Sequence, residues 1–107
     1  MINARIYTDK VPYVVLMDGH AGAKRDENDR DLVCCAASFS LQAFARWMER
    51  NHHGRISGTA EPGYTRMAIH PYEGHVMAVK KRLAYMEDEL KTLQEEHPEC
   101  VAVSTNK

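Results

Sequence analysis

Two short segments of this chain carry side chains that can do covalent chemistry. The first, Asp18-Gly19-His20-Ala21, closes an apolar run, and the second, Asp31-Leu32-Val33-Cys34-Cys35-Ala36-Ala37-Ser38, opens an amphipathic one. A histidine presented by a glycine at a strand end, followed by a cysteine entering a helix, is a way to bring a thiol nucleophile and its base together. Asp31 is a good helix N-cap, which puts Cys34 at about the third helical position. There the free backbone amides and the positive end of the helix dipole favour an anion. The attacking form is the thiolate, and an ordinary thiol with a pKa near about 8.5 is only a few per cent ionised at neutral pH. A helix start plus an imidazole lowers that value. The chemistry such a pair can do is covalent: the imidazole takes the thiol proton and the sulfur attacks an electrophilic carbon.

Helical geometry separates the two adjacent cysteines, because consecutive residues lie about 100° apart. Cys34 falls on the border of the apolar stripe, beside Ser38 one turn later. Cys35 shares its face with Phe39, Gln42 and Arg46 and points to solvent or a partner. Each residue has a plainer competing role. Cys34 would serve as a small buried hydrophobe, His20 as a surface or capping residue, Asp31 as a cap before a charge partner, and Ser38 as a small packing residue.

The elements that must position these residues follow from hydrophobic periodicity. Ile2, Ala4 and Ile6 alternate with polar neighbours, and the apolar run Tyr13 to Met17 follows after a Pro12-containing turn, which predicts a hairpin. Residues from about 20 to 30 are small and charged, predicting a mobile surface loop of the kind that gates sites. Val33, Ala37, Leu41, Phe44 and Met48 recur at helical spacing to about Arg50, with Asn51-His52-His53-Gly54 ending the helix. Arg55 to Ala60 and Tyr64 to His70 flank Glu61-Pro62-Gly63, a type II turn signal, giving a second hairpin. Val76, Val79, Leu83, Met86, Leu90 and Leu93 define a second helix, with Lys80, Lys81, Glu87, Glu89, Lys91 and Glu95 on solvated faces and Glu87 pairing with Lys91. Pro98 stops it, and Val101 to Ser104 closes the chain as a strand. The order strand, strand, helix, strand, strand, helix, strand predicts an α+β sandwich with two helices on a small mixed or antiparallel sheet.

With 107 residues the chain fits one domain, spanning 1–107. Fourteen Lys and Arg against 15 Asp and Glu leave a net charge of -1, no field for gathering phosphates, so direct nucleic-acid binding is not expected. No run reaches the roughly 18 apolar residues of a membrane helix, and Met1 to Arg5 does not resemble a secretion signal. Three cysteines make a poor disulfide framework and suit a reducing cytoplasm. Metal binding is disfavoured, since Cys34-Cys35 and His52-His53 are adjacent and offer no two ligands on one face. The methionines and Trp47 read as core filler. No cofactor is required by the proposed chemistry.

Gly19-His20-Ala21, the polar loop, Asp31-Leu32-Val33-Cys34 and Ala37-Ser38 resemble the ribosomal-processing cysteine protease family, Prp, whose signature is a GHA segment, then D-[IL]-V-C with a serine four residues beyond. The hairpins, the long second helix and the strand entered through His97-Pro98-Glu99-Cys100-Val101 look similar too. The resemblance implies Cys34 as nucleophile and His20 as general base, with Gly19, Asp31 and Ser38 in supporting positions. The reaction it implies is peptide hydrolysis through an acyl-enzyme, in which His20 takes the Cys34 proton, helix-start amides hold the oxyanion, and the imidazolium protonates the leaving amine. It further implies a homodimer that removes the N-terminal extension of a bacterial large-subunit ribosomal protein, with a mobile loop over the site. This chain departs from the family pattern in a longer, more charged loop and in Cys35, where alanine is common. Those departures bear on substrate selection, and a relative acting on a phage structural protein would keep the dyad and alter this loop. A different class of function is a non-catalytic, dimeric, ribosome-associated or protein-binding module using Cys35, Phe39 and the exposed side of the first helix.

Overall fold

The computed structural model describes residues 1–20 and 31–106. Apart from His20, the loop expected at about 20–30 lies outside the described residues. Strands β1 (Ile2–Tyr7) and β2 (Tyr13–Asp18) form the first hairpin, followed by α1 (Leu32–Asn51). The second hairpin is β3 (Gly54–Glu61) with β4 (Tyr64–Pro71), and α2 (Val76–Glu96) and β5 (Val101–Asn106) complete the chain. All seven expected elements are present, in the expected order.

The strands form one sheet in the order β3-β4-β2-β1-β5. β1 and β5 run parallel, Ile2 opposite Val101, and every other pairing is antiparallel, so the sheet is mixed. The parallel pair follows from α2, whose length carries the chain back across the sheet before β5 begins. Alternate residues Ile2, Ala4, Ile6, Tyr13, Val15, Met17, Met67, Ile69 and Val101 join the buried stripes of both helices in a single apolar cluster. Both helices therefore cover the same face, giving two layers. Phe44, Met48, Met86 and Leu90 are fully buried at its centre, each contributing roughly 1.5–3 kcal/mol of burial. On the opposite face Arg5 Nη2 meets Asp18 Oδ2 at 3.0 Å.

The helix ends are set locally. α1 stops where His52 turns left-handed (φ 52°, ψ 44°) and its amide reaches the Met48 and Glu49 carbonyls. α2 stops at His97, before Pro98. One placement differs from the sequence reading, in that Glu87 is buried rather than on a solvated face. Lys91 Nζ reaches its carboxylate at 2.7 Å one turn away, which supplies the partner a buried charge needs. Met17, Met48, Met67 and Met86 fill the core as expected, whereas Met1 and Met77 are exposed.

Candidate active site

β2 lies inside the sheet and ends at Asp18, so its direction fixes where Gly19 and His20 emerge. Gly19 has φ +92°, and a Cβ there would lie 2.1 Å from the Met1 carbonyl oxygen, so only glycine fits. Its amide donates to the Gly63 carbonyl at 2.9 Å, tying the end of β2 to the β3–β4 turn. That contact follows from register, because Asp18 pairs with Tyr64. His20 is exposed, and its ring lies against Gly63. A Cβ on Gly63 would sit 2.9 Å from His20 Nε2 and 3.4 Å from Cε1. Gly63, at φ +78°, thus supplies both the positive φ of the turn and a bare surface for the imidazole.

The nucleophile candidate comes from the other layer. Asp31 adopts an extended conformation (φ -87°, ψ 99°) and its Oδ1 accepts from the Cys34 amide at 3.0 Å, while its carbonyl accepts from the Cys35 amide at 3.0 Å. Asp31 is therefore the N-cap, and Cys34 sits at the third helical position. The Cys34 and Cys35 amides are thereby engaged, so of the helix-start amides the first two, of Leu32 and Val33, are the donors α1 can offer. Cys34 is half-buried at the edge of the apolar cluster and Cys35 is exposed, as are Phe39, Gln42 and Arg46 on its face.

His20 and Cys34 line one cavity of about 220 Å³, together with Gly19, Ser38, Glu61 and Tyr64. Of the five sequence-predicted residues, four line this cavity, and the fifth, Asp31, caps the helix that carries Cys34. The β3–β4 turn was not anticipated as a wall. Glu61, Pro62, Gly63 and Tyr64 read only as turn chemistry, and no local signal links them to His20. The third cysteine, Cys100, is buried immediately before β5, and burial pushes its thiol pKa up, with the Glu99 carboxylate adding to the rise. All three cysteines are free thiols. Among the described residues no three His, Cys, Asp or Glu side chains converge as metal ligands. No described helix is long and apolar enough to cross a membrane. His53 and His75 meet at the far end of β3, Nδ1 to Nδ1 2.8 Å, with Trp47 stacked on His53.

Solved structures share this architecture. The essential ribosomal processing protease Prp of S. aureus, in complex with a covalently linked product peptide, aligns with a TM-score of 0.75 at 24% identity over 99% of this chain and 100% of its own. The same protease with a substrate peptide aligns at 0.75 and 23% identity, with the same coverage. SMU.848 from Streptococcus mutans aligns at 0.78 and 22% identity over 99% of this chain and 94% of its own. A comparison with curated proteins finds no match. The family model described as cysteine protease Prp matches residues 1–102, nearly the whole length, and by that match the chain belongs to the Prp family of cysteine proteases.

Proposed function

We propose that this protein is a cytoplasmic endopeptidase that removes the N-terminal extension of a bacterial large-subunit ribosomal protein, with Cys34 as nucleophile and His20 as general base. The observation that carries the assignment is that His20, at the end of a sheet strand, and Cys34, at the start of a helix, line the same small cavity. The family match and the peptide-bound S. aureus relative support the substrate class.

The reaction runs through this chain's own groups. His20 withdraws the Cys34 proton, and the sulfur attacks the scissile carbonyl carbon. As the tetrahedral intermediate collapses, the imidazolium gives its proton to the departing amine, leaving a thioester on Cys34. Water, deprotonated by His20, then attacks the thioester and releases the acyl fragment. Gly19 and Gly63 orient the imidazole, Asp31 holds the helix start, and Ser38 borders the cavity one turn beyond the cysteine. A homodimer fits the exposed apolar strip of Leu32, Cys35 and Phe39 along α1, Phe39 being 70% exposed. The near-neutral charge gives no support to direct nucleic-acid binding.

The test is to incubate the purified protein with the ribosomal protein bearing its extension and follow its mass. Wild type trims it, and Cys34→Ala and His20→Ala each lose about a thousandfold or more in rate. Trimming that persists in Cys34→Ala overturns the dyad. A protein that cuts other peptides through Cys34 but leaves this substrate whole overturns the ribosomal assignment alone.

A further inference from the structure

α2 buries one side and leaves the other in water. Val79, Leu83, Met86 and Leu90 form the buried side. At about 3.6 residues per turn, Met77, Lys81, Ala84, Tyr85, Asp88 and Thr92 fall directly opposite. All six are exposed, Met77 by 80% and Tyr85 by 58%. Large apolar groups left uncovered on one side of a helix mark a contact surface.

The charges along this helix are sorted by end. In the first half Lys80 stands over the Tyr13 ring and Arg82 lies 3.9 Å from Glu89, whereas Lys81 enters no ion pair among the described residues. In the second half Lys91 is taken by Glu87, and Asp88 makes no ion-pair contact among the described residues. Glu95 and Glu96 follow in the last turn, which holds no cation, while the first turn holds no carboxylate and His75 supplies no side-chain cap. Such an order opposes the helix dipole, positive at its start and negative at its end, so a single chain gains nothing from it. An antiparallel copy reverses the balance, because each basic half then faces an acidic one and each uncapped helix start faces glutamates.

We propose that α2 is a self-association face on which a second copy of this chain packs antiparallel, about a two-fold axis midway between Ala84 and Tyr85. Lys81 then lies opposite the partner's Asp88, Met77 opposite the partner's Thr92, and Tyr85 against the small side chain of the partner's Ala84. The two-fold axis makes each contact occur twice. Lys81 and Asp88 stand about 10 Å apart along α2 at about 1.5 Å per residue, so the two ion pairs bracket the aromatic contact. This surface is separate from the strip of Leu32, Cys35 and Phe39 proposed for the homodimer, and none of its residues borders the His20 cavity. Copies paired through α1 therefore join through α2 into assemblies of more than two chains.

Sedimentation equilibrium over a concentration series at low salt tests this on the intact chain. Wild type passes two chains in average mass. Lys81→Glu and Asp88→Lys each move that further association to about thirtyfold higher concentration, since two ion pairs per contact turn from attraction to repulsion. An equimolar mixture of the two variants recovers the wild-type curve, because every opposed pair is again of opposite sign, and so does the double substitution in one chain. High salt weakens wild type and relieves both variants. Both positions are exposed, and unchanged far-UV spectra confirm that the variants fold. Curves that neither substitution moves, or losses that mixing fails to repair, overturn the proposal. A wild type that stops at two chains but splits in Lys81→Glu and re-forms on mixing keeps the α2 contact and overturns the pairing through α1.

Discussion

Replacing Gly63 by alanine tests whether the β3–β4 turn positions the imidazole of His20, the proposed base. The added methyl would meet His20 Nε2 at 2.9 Å, whereas ordinary van der Waals contact begins near 3.4 Å, so the ring must retreat by about 0.5 Å. The ring sits at the end of an exposed side chain and moves aside cheaply, so the clash registers in catalysis rather than in folding. The backbone contributes separately, because alanine at φ +78° costs about 1–2 kcal/mol. In a domain of this size that lowers Tm by roughly 5–10 °C. Gly74→Ala isolates the backbone part, since Gly74 has φ +83° with nothing within 4 Å of an added Cβ, and it lies outside the cavity. Both variants therefore lose similar stability, but only Gly63→Ala loses kcat, by about tenfold or more. The assay pairs thermal unfolding with peptide cleavage well below both midpoints. Equal kcat in the two variants, with Gly63→Ala folded, refutes the idea that the turn holds the imidazole.

Two further predictions follow from the helix start and the buried thiol. Asp31→Ala removes the cap and costs about 1 kcal/mol in thermal unfolding, whereas Asp31→Asn, which retains an acceptor for the Cys34 amide, costs a few tenths. Both variants remove a carboxylate beside Cys34, so iodoacetamide labelling of its thiol moves to lower pH in each. Stability falls as pH rises through and above the ordinary thiol range near about 8.5, because the unfolded Cys100 thiol ionises there while burial keeps the folded one protonated. Lys91 acts at higher pH in the same direction. Its hydrogen bond to Glu87 raises its pKa, so its contribution is whole below the lysine range and lost above it. Denaturant titrations across pH 7–10 on wild type and Cys100→Ala measure this, the variant showing the shallower alkaline slope.

Local pattern carried most of the architecture. The stripe from Val33 to Met48 and the one from Val79 to Leu90 are buried where periodicity put them, and Asp31 caps α1 as its side chain predicts. What escaped was decided across long stretches of chain. Whether the sheet was mixed depended on α2 returning β5 beside β1, which no short window contains. The contact between Gly63 and His20 depends on Asp18 meeting Tyr64, a register fixed by the whole β2–β4 pairing. Glu87 looked like a solvated charge until packing buried it and left Lys91 to neutralise it. The sequence names Asp31 as the cap but not which helix-start amides it occupies, and these are the Cys34 and Cys35 amides.

The link from the Gly19 amide to the Gly63 carbonyl ties His20 to one hairpin, while the Cys34 sulfur rides on a helix in the other layer. How the imidazole faces the thiol is thus a property of how that hairpin's tip sits against α1. A substitution far from both side chains that tilts the tip changes their separation as surely as one beside them.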